Sequence, residues 1–188
     1  MMTEKAMEIM KHCNITLLTS GPNAGKMSVR PKSTADGKRI AKELKAGMWK
    51  AEVNEIRMHL QSEEAAKQAA AKSRQEKINA IDGLQEIYDA RNAWSRYRKN
   101  FRRMMDDQDN DGARPPVQPT ANIDALNTKY PRAAAYVKAE DYSYAANYAK
   151  SSAGRKALEK IINGEDYAQA IADMEAEWSA YCEAHIWD

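Results

Sequence analysis

A chain of 188 residues suits one domain or two small ones. With 43% hydrophobic and 30% charged residues it is globular rather than disordered, and its two cysteines, Cys13 and Cys182, exclude a disulfide framework and a cysteine metal cluster. The net charge of +2 hides an asymmetry: residues 1–103 carry 21 Lys and Arg against 12 Asp and Glu, whereas residues 104–188 carry 8 against 15. The halves either neutralise each other or offer a basic and an acidic face to different partners, and both readings stand at this stage. Abundant alanine, lysine and glutamate with only eight glycines favours helix. The N-terminus has no signal-peptide apolar core, and no run approaches the ~18 apolar residues a membrane span needs, so a reduced cytoplasmic setting without membrane contact is expected.

Residues 3–12 read as a short helix with Met7, Ile9 and Met10 as its apolar positions. Residues 14–19 read as a strand, the turn-rich Ser20–Gly25 as a loop, and the alternating Lys26–Arg30 as a returning strand stopped by Pro31. Ser33 and Thr34 are placed to cap a following helix, with Asp36 in its first turn. Ile40, Leu44, Met48, Val53, Ile56 and Leu60 keep helical spacing, interrupted near Gly47. Residues 63–79 are alanine-rich and charged with almost no apolar stripe, which predicts an exposed helical arm. Asp82-Gly83 predicts a bend, and Leu84, Ile87, Tyr88, Trp94, Tyr97 and Phe101 a second helix with an apolar face. Residues 106–120 hold acids, amides and three prolines, as a linker does. Beyond it, Ile123–Leu126 opens a helical region, Tyr130-Pro131 begins a helix with proline at its first position, and Asn163-Gly164 ends another. Tyr167, Ile171, Met174, Trp178 and Tyr181 mark the last helix. The expected fold is therefore mainly α with a small N-terminal β-hairpin and a C-terminal helical bundle. Its parts are 1–62, an α–hairpin–α module; 63–105, the arm and a basic helix; 106–120, the linker; and 121–188, the C-terminal helical domain.

Catalytic and metal-binding patterns are weak. Gly21-Pro-Asn-Ala-Gly25-Lys26 has one residue too few between its glycines for a phosphate-binding loop, and Met27 stands where Ser or Thr is needed. Asp107, Asp109, Asp111 and Gly112 match the first half of a calcium loop, but Gln118 replaces the closing bidentate acid and Pro115-Pro116 follow. His12, His59 and His185 lack ligand spacing, and no nucleophile–base pair is legible. The expectation is a non-enzyme without metal or cofactor.

The strongest functional signal is residues 91–103, with six cations, three aromatics and no acid. Trp94, Tyr97 and Phe101 fall on one helical face, expected to be mostly buried, with Arg91, Arg96, Arg98, Lys99, Arg102 and Arg103 around the flanks and back. Arginines beside aromatics suit phosphates and bases of DNA or RNA, or an acidic protein. A complementary candidate is the acidic C-terminal helix. Seven acids and no Lys or Arg lie between Asn163 and Asp188. Asp166, Asp173 and Glu177 share a side there and could imitate nucleic-acid phosphates, unless they are an ordinary solvated face.

Two segments resemble known families. Met7–Met10, Ile15–Leu18, Met27–Pro31, Glu43-Leu44 and Trp49–Ile56 resemble N-terminal docking modules of the tubulysin-synthetase type. The resemblance implies a helix, a hairpin and further helices, and partner docking along the hairpin; the loop at 21–25 is longer than that pattern. Lys129–Tyr136, Ile161–Tyr167 and Met174–Trp187 resemble accessory proteins of phages and integrative elements of gut Firmicutes, among them anti-CRISPR inhibitors of the type II RNA-guided DNA nuclease. That resemblance implies a non-enzymatic inhibitor in a bacterial host cell. It would bind the CRISPR effector nuclease with its guide RNA and block recognition or cleavage of target DNA. The alternatives are a nucleic-acid-binding accessory protein of a phage or mobile element, and a protein-docking adaptor.

Overall fold

The protein is mainly α with one small hairpin, in a computed structural model that describes residues 2–18, 20–106, 115–144 and 148–185. The half calcium motif at 107–112 lies outside the described residues. The chain divides into two compact units, Met1–Ser73 and Arg74–Asp188, and the division falls inside one helix.

The first unit runs α1 (Glu4–His12), β1 (Cys13–Leu17), β2 (Met27–Pro31), α2 (Ala35–Lys45) and most of α3 (Lys50–Asn79). The Thr3 hydroxyl caps α1 by accepting from the Ala6 amide, and the Thr34 hydroxyl caps α2 through the Gly37 amide. β1 and β2 pair antiparallel with Ile15 opposite Val29 and Cys13 opposite Pro31. Pro31 ends the ladder because it has no amide hydrogen to donate. Between the strands, Gly21 and Gly25 adopt positive φ and the Lys26 ammonium binds the Asn23 side chain at 2.9 Å. The glycine–lysine segment is thus a hairpin connection feeding a strand, not a loop opening a helix. Ala6, Ile9, Cys13, Ile40 and Ile56 form the buried core of this unit, and burial pushes the Cys13 thiol pKa up. The α2–α3 break sits at Gly47 and Trp49, both at positive φ. The Trp49 indole donates to Glu43 at 2.9 Å, a bond that, with Arg39, lowers the Glu43 carboxyl pKa.

The second unit holds the end of α3, then α4 (Leu84–Asp106), α5 (Ile123–Lys129), α6 (Pro131–Ser143), α7 (Tyr148–Ile162) and α8 (Tyr167–Ala184). The alanine-rich stretch expected as an arm is part of α3 and is largely exposed, as its lack of an apolar stripe requires. Gly83 takes φ +72 in the turn into α4, and a β-carbon there would fall inside the Tyr130 ring, 2.1 Å from its nearest atom. Helix α7 packs against both α6 and α8. The crossing with α6 is close because Gly154 lies on it: a β-carbon would come within 2.4 Å of the Ser143 amide nitrogen. Tyr136, Val137, Leu158, Ile161, Ile162 and Met174 fill the core, closed by Ile81, Leu84 and Ile87 at the α3–α4 turn. Burying each such aliphatic side chain contributes about 1.5–3 kcal/mol. Asn122 caps α5, Pro131 opens α6, and Asp166 caps α8. Among the described residues no helix is long and apolar enough to cross a membrane.

Candidate nucleic-acid interface

Helix α4 changes character along its length. Its first half buries Leu84 and Ile87 against the helical core, and Ala90 is buried as well. Tyr88 donates a hydrogen bond to the Glu140 carboxylate of α6, and burial together with that carboxylate pushes the Tyr88 phenol pKa well up. Arg91 completes the anchored part with a 2.8 Å ion pair to Asp141. Beyond Arg91 no α4 residue is fully buried, and the helix presents a polar and an apolar side to solvent.

The apolar side is an aromatic ladder. Trp94 meets Tyr97 edge-on with ring centroids 5.7 Å apart, and Tyr97 stacks on Phe101 at 5.9 Å. The Trp94 indole donates to the Ala121 carbonyl at 2.8 Å, which ties the segment before α5 to the helix. Residues 116–120 run beside Ala93, Arg96, Tyr97 and Asn100. Burial of the ladder is less than its one-sided spacing predicts. Trp94 and Tyr97 are half-buried and Phe101 is 39% exposed, because an extended strap covers this face where a packed helix would have buried it. Met105, one turn past Phe101, is 65% exposed, and Val117 on the strap is 92% exposed.

The polar side holds the cations. The structure brings Arg98, Lys99, Arg102 and Arg103 together with Ser95 and Asp106 around one open depression of about 510 Å³. All four cations are exposed, and none takes part in an ion pair or hydrogen bond among the described residues. The other two cations of the run are placed differently. Arg91 is neutralised by Asp141, and Arg96 lies on the strap side with its Nε on the Asn92 carbonyl at 3.3 Å. Sequence reasoning grouped all six. It missed Met105, although spacing from Phe101 carried that signal, and it missed the strap, whose docking on α4 has no periodic signature.

The acidic candidates are arranged otherwise. Asp166 is the α8 N-cap and accepts from the amides of Ala168 and Gln169 at 2.8 and 3.3 Å. Asp173 pairs with Lys160 of α7 at 2.6 Å and accepts from Gln169 at 2.7 Å, and these two bonds hold its carboxyl below the usual range. Glu177 pairs with Lys156 at 2.9 Å, and Glu175 with Lys138 of α6. The three candidates therefore do not form a free carboxylate row: one is a cap and two are matched to lysines of the neighbouring helix. His59 pairs with Glu63 at 3.4 Å, and among the described residues no three histidine, cysteine or acidic groups converge as a metal site would require. No family model, curated protein or solved structure matches this chain.

Proposed function

We propose that the protein is a non-catalytic nucleic-acid-binding accessory protein, and that it takes hold of the phosphate backbone with Arg98, Lys99, Arg102 and Arg103 on the outer half of α4. One observation carries this reading. These four cations share a stretch of a rigid helix, stand in solvent, and have no acidic partner among the described residues. Elsewhere in the unit, lysines and arginines such as Lys138, Lys156, Lys160, Arg74 and Arg91 are paired with carboxylates. Unpaired cations of one sign release counterions when they meet phosphate, which gives sequence-independent affinity with a steep salt dependence.

The inhibitor function implied by the resemblance to anti-CRISPR proteins would use the same surface on the guide RNA of a type II effector. The alternative route, carboxylates imitating DNA, draws no support from α8, whose candidates are occupied within the fold. The test is fluorescence anisotropy with labelled DNA and RNA, run beside target cleavage by a guide-loaded type II effector. Binding to free nucleic acid that is lost in the Arg98→Glu, Lys99→Glu, Arg102→Glu, Arg103→Glu variant supports the accessory-protein reading. Inhibition of cleavage without binding to free nucleic acid would replace it with the inhibitor. Binding that survives the fourfold reversal would remove α4 as the contact surface.

A further inference from the structure

We infer that the α4 surface selects single-stranded over duplex nucleic acid, with Phe101 as the step on which a base stacks; this rests on the phosphate-binding reading above. The ladder is the first observation. Tyr97 and Phe101 stack at 5.9 Å with their planes 30° apart, and the stack ends at a ring that is 39% exposed. A further flat ring laid against Phe101 would extend an existing stack. Met105, 65% exposed and one turn on, offers a soft apolar contact beside it.

The second observation is where the cations stand relative to that ring. On a helix, Arg98 and Phe101 are neighbours at i, i+3, and Phe101 and Met105 at i, i+4. Arg98 and Arg102 lie one turn apart on the side bordering the apolar strip, about 6 Å along the axis. Lys99 and Arg103 continue the charge around the helix, away from the ring. The result is a border with an exposed aromatic on one side and, on the other, guanidinium groups that pair with no carboxylate among the described residues. A single strand can satisfy both at once, placing phosphates on Arg98 and Arg102 and turning a base toward Phe101. A duplex keeps its bases paired and stacked, so it can use only the cations. An acidic peptide would engage the charges but has no required flat ring for the Phe101 face.

The trapping of Trp94 supports this division of labour. Its indole hydrogen is spent on the Ala121 carbonyl and its ring lies against residues 119–124, so it braces the ladder from below. Phe101 carries no polar atom and is unanchored in that way, so its exposed face is available without breaking any bond.

The experiment is anisotropy titration of the full chain against labelled oligothymidylate and a duplex of equal length, about 12 nucleotides, at matched salt. Phe101→Leu keeps apolar bulk without a π-face, and Phe101→Tyr restores one. The expected result is tighter binding of the single strand. Its affinity falls about 5- to 100-fold in Phe101→Leu and is retained in Phe101→Tyr, while duplex binding is the same in all three proteins. Equal affinity for both forms, or a single-strand affinity unmoved by Phe101→Leu, overturns the stacking inference and leaves the phosphate-binding reading standing. Absence of binding to either form, or binding unmoved by the fourfold α4 charge reversal, overturns both. Circular dichroism of each variant separates loss of the ring from loss of the helix.

Discussion

The outer half of α4 and the length of α8 each carry charge that is mainly of one sign, and they use it in opposite ways. Both expose that charge, cations from Arg91 to Arg103 on α4 and acids without Lys or Arg on α8. On α8, however, Asp166 caps the helix, Asp173 and Glu177 meet Lys160 and Lys156 of α7, and Glu175 meets Lys138 of α6. The excess negative charge of α8 is answered by lysines already inside the fold. Among the described residues, Arg91 is the one cation of α4 that pairs with a carboxylate, at the point where the helix still touches α6. Beyond that point none of Arg98, Lys99, Arg102 and Arg103 pairs with a carboxylate among the described residues, although Asp106 lines the same depression. A run of like charge thus has two meanings, and the neighbouring helix decides between them.

The largest effect expected from this contrast is on binding. Reversing Arg98, Lys99, Arg102 and Arg103 to glutamate should abolish association with nucleic acid while leaving helix content unchanged, since all four are exposed and uninvolved in packing. Four phosphate contacts also predict a slope of log affinity against log salt of at most about −3.6 on duplex DNA, or about 150-fold between 50 and 200 mM salt. A slope near zero would mean that the cations of α4 are as silent as those paired on α7.

Next in size is the crossing that holds the lysines of α7 under α8. Gly154→Ala inserts a methyl where 2.4 Å separates its position from the Ser143 amide nitrogen and 2.7 Å from the Ala139 carbonyl oxygen. The backbones must part, at a cost of about 1–3 kcal/mol, read as a lower urea midpoint. Binding through α4 should persist at temperatures where the variant is folded. An unchanged midpoint would show that α6 and α7 are not in close contact at this glycine.

A smaller effect concerns the anchor at the root of α4. Tyr88→Phe removes the hydrogen bond to Glu140 and should cost about 1–3 kcal/mol, without altering nucleic-acid affinity. The wild-type phenol is held protonated, chiefly by burial and then by Glu140, so its folded pKa stands above the unfolded one. The stability it confers is complete below the unfolded tyrosine pKa of about 10 and is lost as pH rises beyond it. Thermal melts from pH 8 to 11 should therefore fall more steeply for the wild type than for Tyr88→Phe; parallel curves would contradict the anchor.

How far the sequence disclosed this arrangement depends on the range over which each feature is decided. Caps, turns and helix starts are local, and Thr3, Thr34, Asn122 and Pro131 stand at the helix ends their chemistry specifies. The hairpin was legible for the same reason, through alternation bounded by glycine-rich turn residues and Pro31. The basic helix was legible as a helix, yet its composition showed neither that Asp141 removes Arg91 from the set nor that Arg96 lies on the strap side. The aromatic ladder was placed on one face correctly but expected to be mostly buried, because periodicity reports which residues share a side and not what covers it. The α8 carboxylates taught the converse: Asp166, Asp173 and Glu177 looked like a row until α7 supplied the lysines 13 and 21 positions away in sequence.

The smallest effect is the sharpest check on the two meanings of charge. Asp173→Asn with Glu177→Gln removes the carboxylates offered as phosphate mimics, and the structure has them occupied by Lys160 and Lys156. If they serve the fold, the double variant should bind nucleic acid slightly more tightly or equally well, and melt only a little lower, since exposed pairs contribute little. The pH dependence has a definite sign. Lys160 and then Gln169 lower the Asp173 carboxyl pKa in the folded state, so its contribution is present above the unfolded aspartate value near 4 and is lost as pH falls through the folded one. Acid titration of the wild type below about pH 4 should lower the melting temperature by a margin that Asp173→Asn does not show. A double variant that melts as before but loses activity against a guide-loaded effector would reverse the assignment: the carboxylates of α8 would then be held by lysines only until a basic partner displaced them.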